Sequence, residues 1–229
     1  MYYELFDENN KRIDGKVHFA ADFHINDSTV FDLERRKFLS IENMNNHYIE
    51  LIKETLSDPS HHLFNLGDYL KLRHGAPLNF EILDIFKPFK DLENTKHILL
   101  KGNHDEPVTN IFNKNQKLIN KVGIYNILED YIRLHLRIDL MITYDIYITH
   151  NPHTFNDGRF QDCILLHGHC HGSLGKDWTK YNVLGIDCGI NVWNKIPSMD
   201  DILPIIERYH RGKWRRERKG YWGGVTRRS

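Results

Sequence analysis

The stretch "LLKGNHDEP" (residues 99–107) places an amide, an imidazole and two carboxylates directly after a short apolar run and a Gly. A short apolar run bounded by turn residues is typical of a buried strand, so these polar side chains are expected where a strand ends. Similar runs alternate with helical patterns along the chain, and this alternation indicates an α/β domain. We expect strands within residues 16–20, 62–66, 97–100, 141–149, 163–166 and 181–186.

Two segments between the expected strands have the apolar spacing of helices. The first begins after Ser40, which can cap a helix N-terminus, and ends before Asp58-Pro59. The second covers residues 79–89. Since no repeat or low-complexity linker interrupts the chain, we expect one domain over residues 1–204, followed by a basic, aromatic tail over residues 205–229.

The composition, 40% hydrophobic and 27% charged residues over 229 positions, is that of an ordinary globular protein. No apolar run approaches the roughly 20 residues of a membrane span, and the start "MYYELFDENN" lacks the layout of a secretory signal. These features predict a cytoplasmic protein that does not enter a membrane. Cys163, Cys170 and Cys188 lack zinc-ribbon spacing and are expected to be reduced thiols.

Charge is distributed unevenly along the chain. Residues 208–229 carry nine Lys or Arg against the single acid Glu217, a net charge of +8, and the other 22 bases and 30 acids give −8. Such a tail is either a solvated extension or a surface for a polyanion such as nucleic acid. A solvated extension is the commoner case, and interleaved aromatic side chains add some support to the second interpretation because they can stack on unpaired bases. They are Tyr209, Trp214, Tyr221 and Trp222.

Reactive polar side chains follow five of the expected strands. They are Asp22, His24, Asp68, Asn103, His104, Asp105, His150, His169 and His171. Taken singly, an Asp beside a Gly most often belongs to a turn, and an isolated His most often packs through hydrogen bonds. Their joint occurrence predicts one shared site, because open α/β sheets bind ligands where the carboxyl ends of the strands meet.

The residue types at this site suit two divalent metal ions. Two ions roughly 3.5 to 4 Å apart need an anionic bridge and a shell that leaves positions open, and Asp68 suits the bridge. Imidazole and carboxylate ligands without thiolate favour Mn, with Fe, Zn, Co or Ni as alternatives, over Mg or Ca. A neutral amide oxygen from Asn103 would keep the site positive enough to attract a phosphate group.

Together, the motifs resemble the motif series of the calcineurin-like metallophosphoesterase superfamily. The motifs are Asp22-Phe23-His24, Gly67-Asp68, Gly102-Asn103-His104-Asp105, His150 and Gly168-His169-Cys170-His171, and the resemblance covers residues 17–203. Within the superfamily, "LGIDCGINVWNKIPSMDDI" (184–202) is similar to the closing segment of small bacterial and phage members. The resemblance implies a four-layer α/β/β/α sandwich with a dimetal site on one rim of its two sheets.

The resemblance also implies a role for each matching residue. One metal ion would be held by Asp22, His24, Asp68 and His171, and the other by Asp68, Asn103, His150 and His169. His104 would protonate the leaving group or stabilise its charge, with Asp105 orienting the His104 ring. For His167 two interpretations stay open, support of a ligand by hydrogen bonding or replacement of one. Cys170 is expected to be structural.

These assignments predict hydrolysis of a phosphomonoester or, preferably, a phosphodiester by a metal-bridging hydroxide. The adjoining basic tail favours a nucleotide or nucleic-acid substrate. One alternative is a catalytically retired phosphoesterase fold that acts as a nucleic-acid- or protein-binding module. A second is a nucleic-acid-binding protein whose tail is the main functional element.

Overall fold

The computed structural model describes residues 2–33, 38–71, 96–107, 109–110, 126–128, 131–139, 142–155, 160–180 and 182–222; residues 33, 126, 155 and 213–222 are described by their backbone. The strands are β1 (Tyr3–Phe6), β2 (Val17–Ala20), β3 (His62–Asn65), β4 (Lys96–Leu100), β5 (Asn126–Leu128), β6 (Tyr131–Ile138), β7 (Ile142–Thr149), β8 (Ile164–His167), β9 (Asp177–Lys180) and β10 (Val183–Asp187). The helices are α1 (Ser28–Leu33), α2 (Ile41–Thr55), α3 (Ile190–Trp193) and α4 (Met199–Trp222), with a 3-10 turn at Pro152–Phe155.

The strands form two sheets. The four-stranded sheet has the order β2-β3-β4-β5 and is parallel throughout. The six-stranded sheet has the order β1-β6-β7-β8-β10-β9, with β7, β8 and β10 parallel to one another. A parallel bridge between Ala21 and Gly189 joins the two sheets just beyond β2 and β10. The carboxyl ends of the central strands of both sheets therefore meet at one edge.

Alternation along the strands sends apolar side chains to both faces of each sheet. Phe19 and Phe64 face the six-stranded sheet and pack in one core with its Ile146 and Leu166. Ala20 and Leu63, one position away, pack instead in a second core with helix α2. A third cluster on the outer face of the six-stranded sheet contains no helical residue in the described ranges. An α/β fold with two packed sheets is confirmed, and the fourth layer stays a prediction.

Helix α2 forms as the sequence predicts. Ser40 adopts an extended conformation, and its side chain accepts a hydrogen bond from the main-chain N–H of Asn43. Met44, Tyr48, Ile49 and Ile52 form the buried face. The helix expected at residues 79–89 lies outside the described residues.

All six expected strand segments contain a strand, but β1, β5, β6 and β9 were not predicted. β6 carries Ile132, Leu134, Leu136 and Ile138 at every second position, which is the pattern of a strand with one buried face. β9 is a polar edge strand with little apolar signal, and the other edge strand, β1, is only four residues long.

Helix α4 crosses the expected boundary between residues 204 and 205. It begins after Ser198, whose main-chain N–H donates to Asp201, and continues through Pro204 to Trp222. Ile205 and Ile206 are buried in the core between the sheets, so these residues pack with the preceding domain. The separate role of the tail stays a prediction. Within the described residues, none of the helices combines the length and apolar character needed to cross a membrane.

Candidate metal centre

Polar side chains from five strand ends meet where the two sheets adjoin. Strands β2, β3 and β4 lead into the segments with Asp22, Asp68 and Asn103, and strands β7 and β8 lead into those with His150 and His169. In each of three overlapping groups of residues, the possible ligand atoms lie within 4.8 Å of one another. These groups are Asp22–His24–His171, His24–Asp68–His104 and Asp68–His150–His169. Together with Asn103, they contain all seven expected ligands and His104.

Asp68 lies between two halves of this cluster. One half contains Asp22, His24 and His171, and the other contains Asn103, His150 and His169. Its Oδ2 atom is 3.6 Å from Nε2 of His24 on one side and 3.3 Å from Nε2 of His150 on the other. A single carboxylate that faces one imidazole from each half has the placement required of a bridging ligand.

The donor atoms in each half point at one another. Nε2 of His24 and Nε2 of His171 are 3.3 Å apart. In the other half, Oδ1 of Asn103 is 2.9 Å from Nε2 of His150 and 3.0 Å from Nδ1 of His169. Two ligands bound about 2.1 Å from one ion, at angles of about 90° to 110°, are themselves about 3.0 to 3.4 Å apart. The spacing within each half therefore fits a shared cation.

The main chain is strained at most of the expected ligands. Asp22, His24, Asp68, His169 and His171 have φ angles of 60°, 46°, 52°, 69° and 47°. A left-handed conformation costs a residue other than Gly roughly 1 to 3 kcal/mol, and such residues concentrate at functional sites. Five of the seven expected ligands share this conformation, an observation independent of the side-chain distances.

Gly67 and Gly102 allow the loops after β3 and β4 to approach each other. Gly67 has a φ angle of 97°, which favours Gly. A Cβ atom on Gly102 would lie 2.2 Å from the main-chain nitrogen of Asp68 and 2.3 Å from its Oδ1 atom. Gly at both positions therefore lets Asp68 enter the centre of the cluster.

Hydrogen bonds fix the orientation of His150. Its Nδ1 atom lies 2.9 Å from the main-chain carbonyl of Leu66, which can only accept, so Nδ1 carries a proton. The Nε2 atom, which is turned towards Asp68 and Asn103, is the nitrogen that would bind a metal ion.

Asp68 and His150 form a buried ion pair. Burial lowers the pKa of His150, but the hydrogen bond and charge of Asp68 outweigh burial and raise it to about 9. Burial raises the pKa of Asp68, but His150 and the main-chain N–H of His104 outweigh burial and lower it to about 2. Burial raises the pKa of Asp22 to about 6. Because the raised pKa of His150 keeps its ring protonated at neutral pH, a metal ion would displace the proton on Nε2 of His150.

His104 lies beside the cluster and is partly exposed. Its main-chain N–H donates to Oδ1 of Asp68 at 2.8 Å, and its ring centroid lies 5.2 Å from that of His24. This position allows the expected role towards a leaving group. One ring nitrogen also lies within 4.8 Å of possible ligand atoms of His24 and Asp68, so the distances alone also allow His104 to bind metal.

The carboxylate of Asp105 is bound by main-chain amides. Oδ1 accepts from Tyr69 at 2.9 Å and from Leu70 at 3.4 Å, and Oδ2 accepts from Gly102 at 2.9 Å. The expected contact with the His104 ring is not among its hydrogen bonds. Asp105 instead joins the loops after β3 and β4, and it can position His104 only through the backbone.

Both ring nitrogens of the buried His167 have partners away from the expected ligands. Nδ1 lies 2.9 Å from the carbonyl of Gly168, and Nε2 accepts from Trp178 at 2.9 Å. These contacts leave no ring nitrogen to replace a ligand, and neither of them is the hydrogen bond to a ligand that the other interpretation expected. Burial raises the pKa of the neighbouring Cys170 thiol to about 11, so this thiol stays protonated at neutral pH.

Two buried carboxylates that support the cluster were not among the predicted site residues. Asp27 lies next to His24, and Asp187 accepts from the main-chain N–H groups of Gly172 and Gly189. Asp27 stands directly before helix α1, where an Asp is expected simply as an N-cap. Because an N-cap alone explains an Asp at this position, the sequence does not indicate the contact of Asp27 with His24.

No known family model matches the chain, and no curated protein matches it. Among solved structures, the chain is similar to AQ665, a protein of unknown function from Aquifex aeolicus. The two share 18% sequence identity and superpose with a TM-score of 0.52, over 83% of this chain and 98% of that chain. At this identity the likeness concerns the fold alone.

Proposed function

We propose that the protein is a dimetal-dependent phosphoesterase with the four-layer α/β/β/α architecture of the calcineurin-like metallophosphoesterases. The observation that supports this most strongly is the position of Asp68 between His24 and His150, at 3.6 Å and 3.3 Å. The halves on either side of Asp68 contain the two ligand sets that the motifs imply.

The donor set fits two divalent transition-metal ions, with Mn as the first choice and Fe, Zn, Co or Ni as alternatives. It consists of imidazoles, one amide oxygen and the two carboxylates of Asp22 and Asp68. Two carboxylates balance only part of the charge of two divalent ions. The occupied centre would therefore keep a positive charge that attracts a phosphate ester.

Bound ions would supply Lewis-acid activation of the phosphoryl group and a water of lowered pKa. The chain itself supplies the orientation of the ligands and a proton donor. His104 is held at the edge of the cluster by its main-chain bond to Asp68, and its partly exposed ring can give a proton to the departing oxygen. Asp105 holds the loop after β3 against the loop after β4 by accepting from the main-chain N–H groups of Tyr69 and Gly102.

A phosphodiester of a nucleotide or nucleic acid is the substrate class we favour. The support is the basic segment that follows the domain, which has seven Lys or Arg between residues 213 and 229. Helix α4 carries the first part of this segment away from the packed residues Ile205 and Ile206. We also propose the cytoplasmic location that the sequence predicts.

The proposal is tested by assaying the purified protein against phosphomonoesters, linear diesters, cyclic nucleotides and oligonucleotides, each with Mn, Fe, Zn, Co, Ni or Mg. We expect hydrolysis of at least one class, abolished by chelation and restored by a transition metal. Full turnover in excess chelator after extended dialysis would contradict the metal centre. Tight metal binding without hydrolysis of any substrate would instead favour a retired enzyme that acts as a binding module.

A further inference from the structure

The Asp27 carboxylate is fully buried and close to the metal cluster. Its Oδ1 atom accepts from Nζ of Lys71 at 3.0 Å and from the main-chain N–H groups of Thr29 and Val30 at 3.0 and 3.3 Å. These three donors use one oxygen of the carboxylate. The other oxygen, Oδ2, lies 3.4 Å from Nδ1 of His24.

The His24 ring has its two nitrogens in different surroundings. Nε2 faces Asp68 and His171, at 3.6 Å and 3.3 Å, and Nδ1 faces Asp27. A carboxylate oxygen can only accept, so the Nδ1 atom that faces it is expected to carry the ring proton. The lone pair of Nε2 is then directed into the cluster.

We propose that Asp27 is a positioning residue that fixes the Nδ1–H tautomer of His24 and thereby makes Nε2 available as a metal ligand; this rests on the proposed metal centre. A carboxylate behind a histidine ligand fixes the ring and raises its basicity, and removing such a partner costs roughly 10- to 100-fold in metal affinity. Lys71 and the amides of α1 in turn fix the carboxylate of Asp27.

Asp27→Asn gives a sharp test because it replaces the acceptor that faces Nδ1 of His24 with a donor. The three donors at Oδ1 require the amide oxygen of Asn in that position, so the amide nitrogen replaces Oδ2. An N–H group then faces Nδ1 of His24. The ring proton is expected to move to Nε2, the nitrogen that the metal ion needs.

The matched control is Asp58→Asn. Asp58 and His61 have the same three-residue spacing as the pair at the cluster, but their atoms are 3.8 Å apart and the Asp58 side chain is 54% exposed. This pair stands before β3, at the opposite end of the strand from Asp68.

The test has two readouts. Competition with a chelator should show that Asp27→Asn lowers the affinity for one of two Mn ions by roughly 10- to 100-fold. Asp58→Asn should bind both Mn ions with wild-type affinity. Long-range ¹⁵N–¹H NMR of the metal-free wild type should show the proton of His24 on Nδ1, and this measurement does not depend on whether the variant folds. A proton on Nε2, or unchanged binding of both ions in Asp27→Asn, would overturn the inference while leaving the metal centre intact. A wild type that binds no ion would overturn the proposed function before any variant is compared.

Discussion

Oδ2 of Asp68 lies 3.3 Å from Nε2 of His150. The proton on Nε2 of His150 lies where a metal ion would bind. Because Asp68 shifts the pKa of His150 to about 9, the ring is charged at neutral pH in the metal-free protein. Metal binding should therefore release a proton from this pair.

The first prediction concerns the pH dependence of stability without metal. The pKa of His150 is raised from 6.5 to about 9, so its stabilising contribution is present below pH 6.5 and is lost as the pH rises through 9. The pKa values of Asp22 and Asp105 are raised from 3.8 to about 6, so their ionisation destabilises the fold as the pH rises from 3.8 through 6. Both effects have the same sign.

Below pH 6.5 the buried His18, whose pKa is lowered to about 4, opposes the two carboxyl groups, so we expect the melting temperature of the metal-free protein to fall between about pH 6.5 and pH 9, the range set by His150. With bound metal the decline above pH 6.5 should be smaller, because the ion replaces the proton on His150. The measurement is thermal unfolding across this range with and without Mn, and His150→Gln is the control. A melting temperature that rises between pH 6.5 and 9 without metal would contradict the ion pair.

The second prediction concerns the contact between the loops. Gly102→Ala places a Cβ atom 2.2 Å from the main-chain nitrogen of Asp68, so this backbone must move. We expect a loss of stability of roughly 1 to 3 kcal/mol and weaker metal binding. Gly212→Ala is the control, since a Cβ atom there meets nothing within 4 Å. It should stabilise helix α4 by roughly 0.5 to 1 kcal/mol. Equal effects of the two substitutions, measured by denaturant unfolding, would contradict the close approach.

The third prediction separates His104 from the metal ligands. His104→Ala should leave the metal content near normal and lower turnover by roughly 10²- to 10⁴-fold for esters with poor leaving groups. Activated aryl esters should lose less, because their leaving groups need no proton. An equal loss for both classes would argue against proton donation. Loss of one bound ion would assign His104 to the ligands, as its distances also allow.

The fourth prediction concerns the basic segment. Truncation after Gly212 removes seven Lys or Arg but keeps the packed residues Ile205, Ile206 and Tyr209. If the segment binds nucleic acid, log affinity of the full chain should fall with log salt at about −0.9 per neutralised phosphate on duplex, and truncation should flatten that slope. Hydrolysis of a small chromogenic diester should stay unchanged. Absence of salt-sensitive binding in the full chain would leave the tail as a solvated extension.

The sequence predicted which polar side chains lie together better than it predicted the residues that contact them. Asp22, Asp68 and His150 could be found because each follows an apolar run, and parallel strands bring their ends together whatever the details of packing. The contact of Asp105 with Tyr69 could not be found, because it joins residues 36 positions apart through the backbone. Asp27 was missed because its local pattern is satisfied by a helix cap alone.

The same distinction applies to the fold. Segments such as residues 141–149 are apolar enough to indicate a buried strand from composition alone. The edge strand β9 is polar, and only its pairing with β10 makes it a strand. The domain was expected to end between residues 204 and 205, but helix α4 continues past this point and its residues Ile205 and Ile206 are buried.

The most direct test of the shared carboxylate is the metal content of three proteins after dialysis against Mn and removal of free metal. Elemental analysis should find two ions per chain in the wild type and one in Asn103→Ala, which lacks a ligand of one half only. Asp68→Asn should retain neither ion tightly, because Asp68 faces both halves of the cluster at 3.6 Å and 3.3 Å. An Asp68→Asn protein that keeps two tightly held ions would contradict the bridge and with it the proposed dimetal centre.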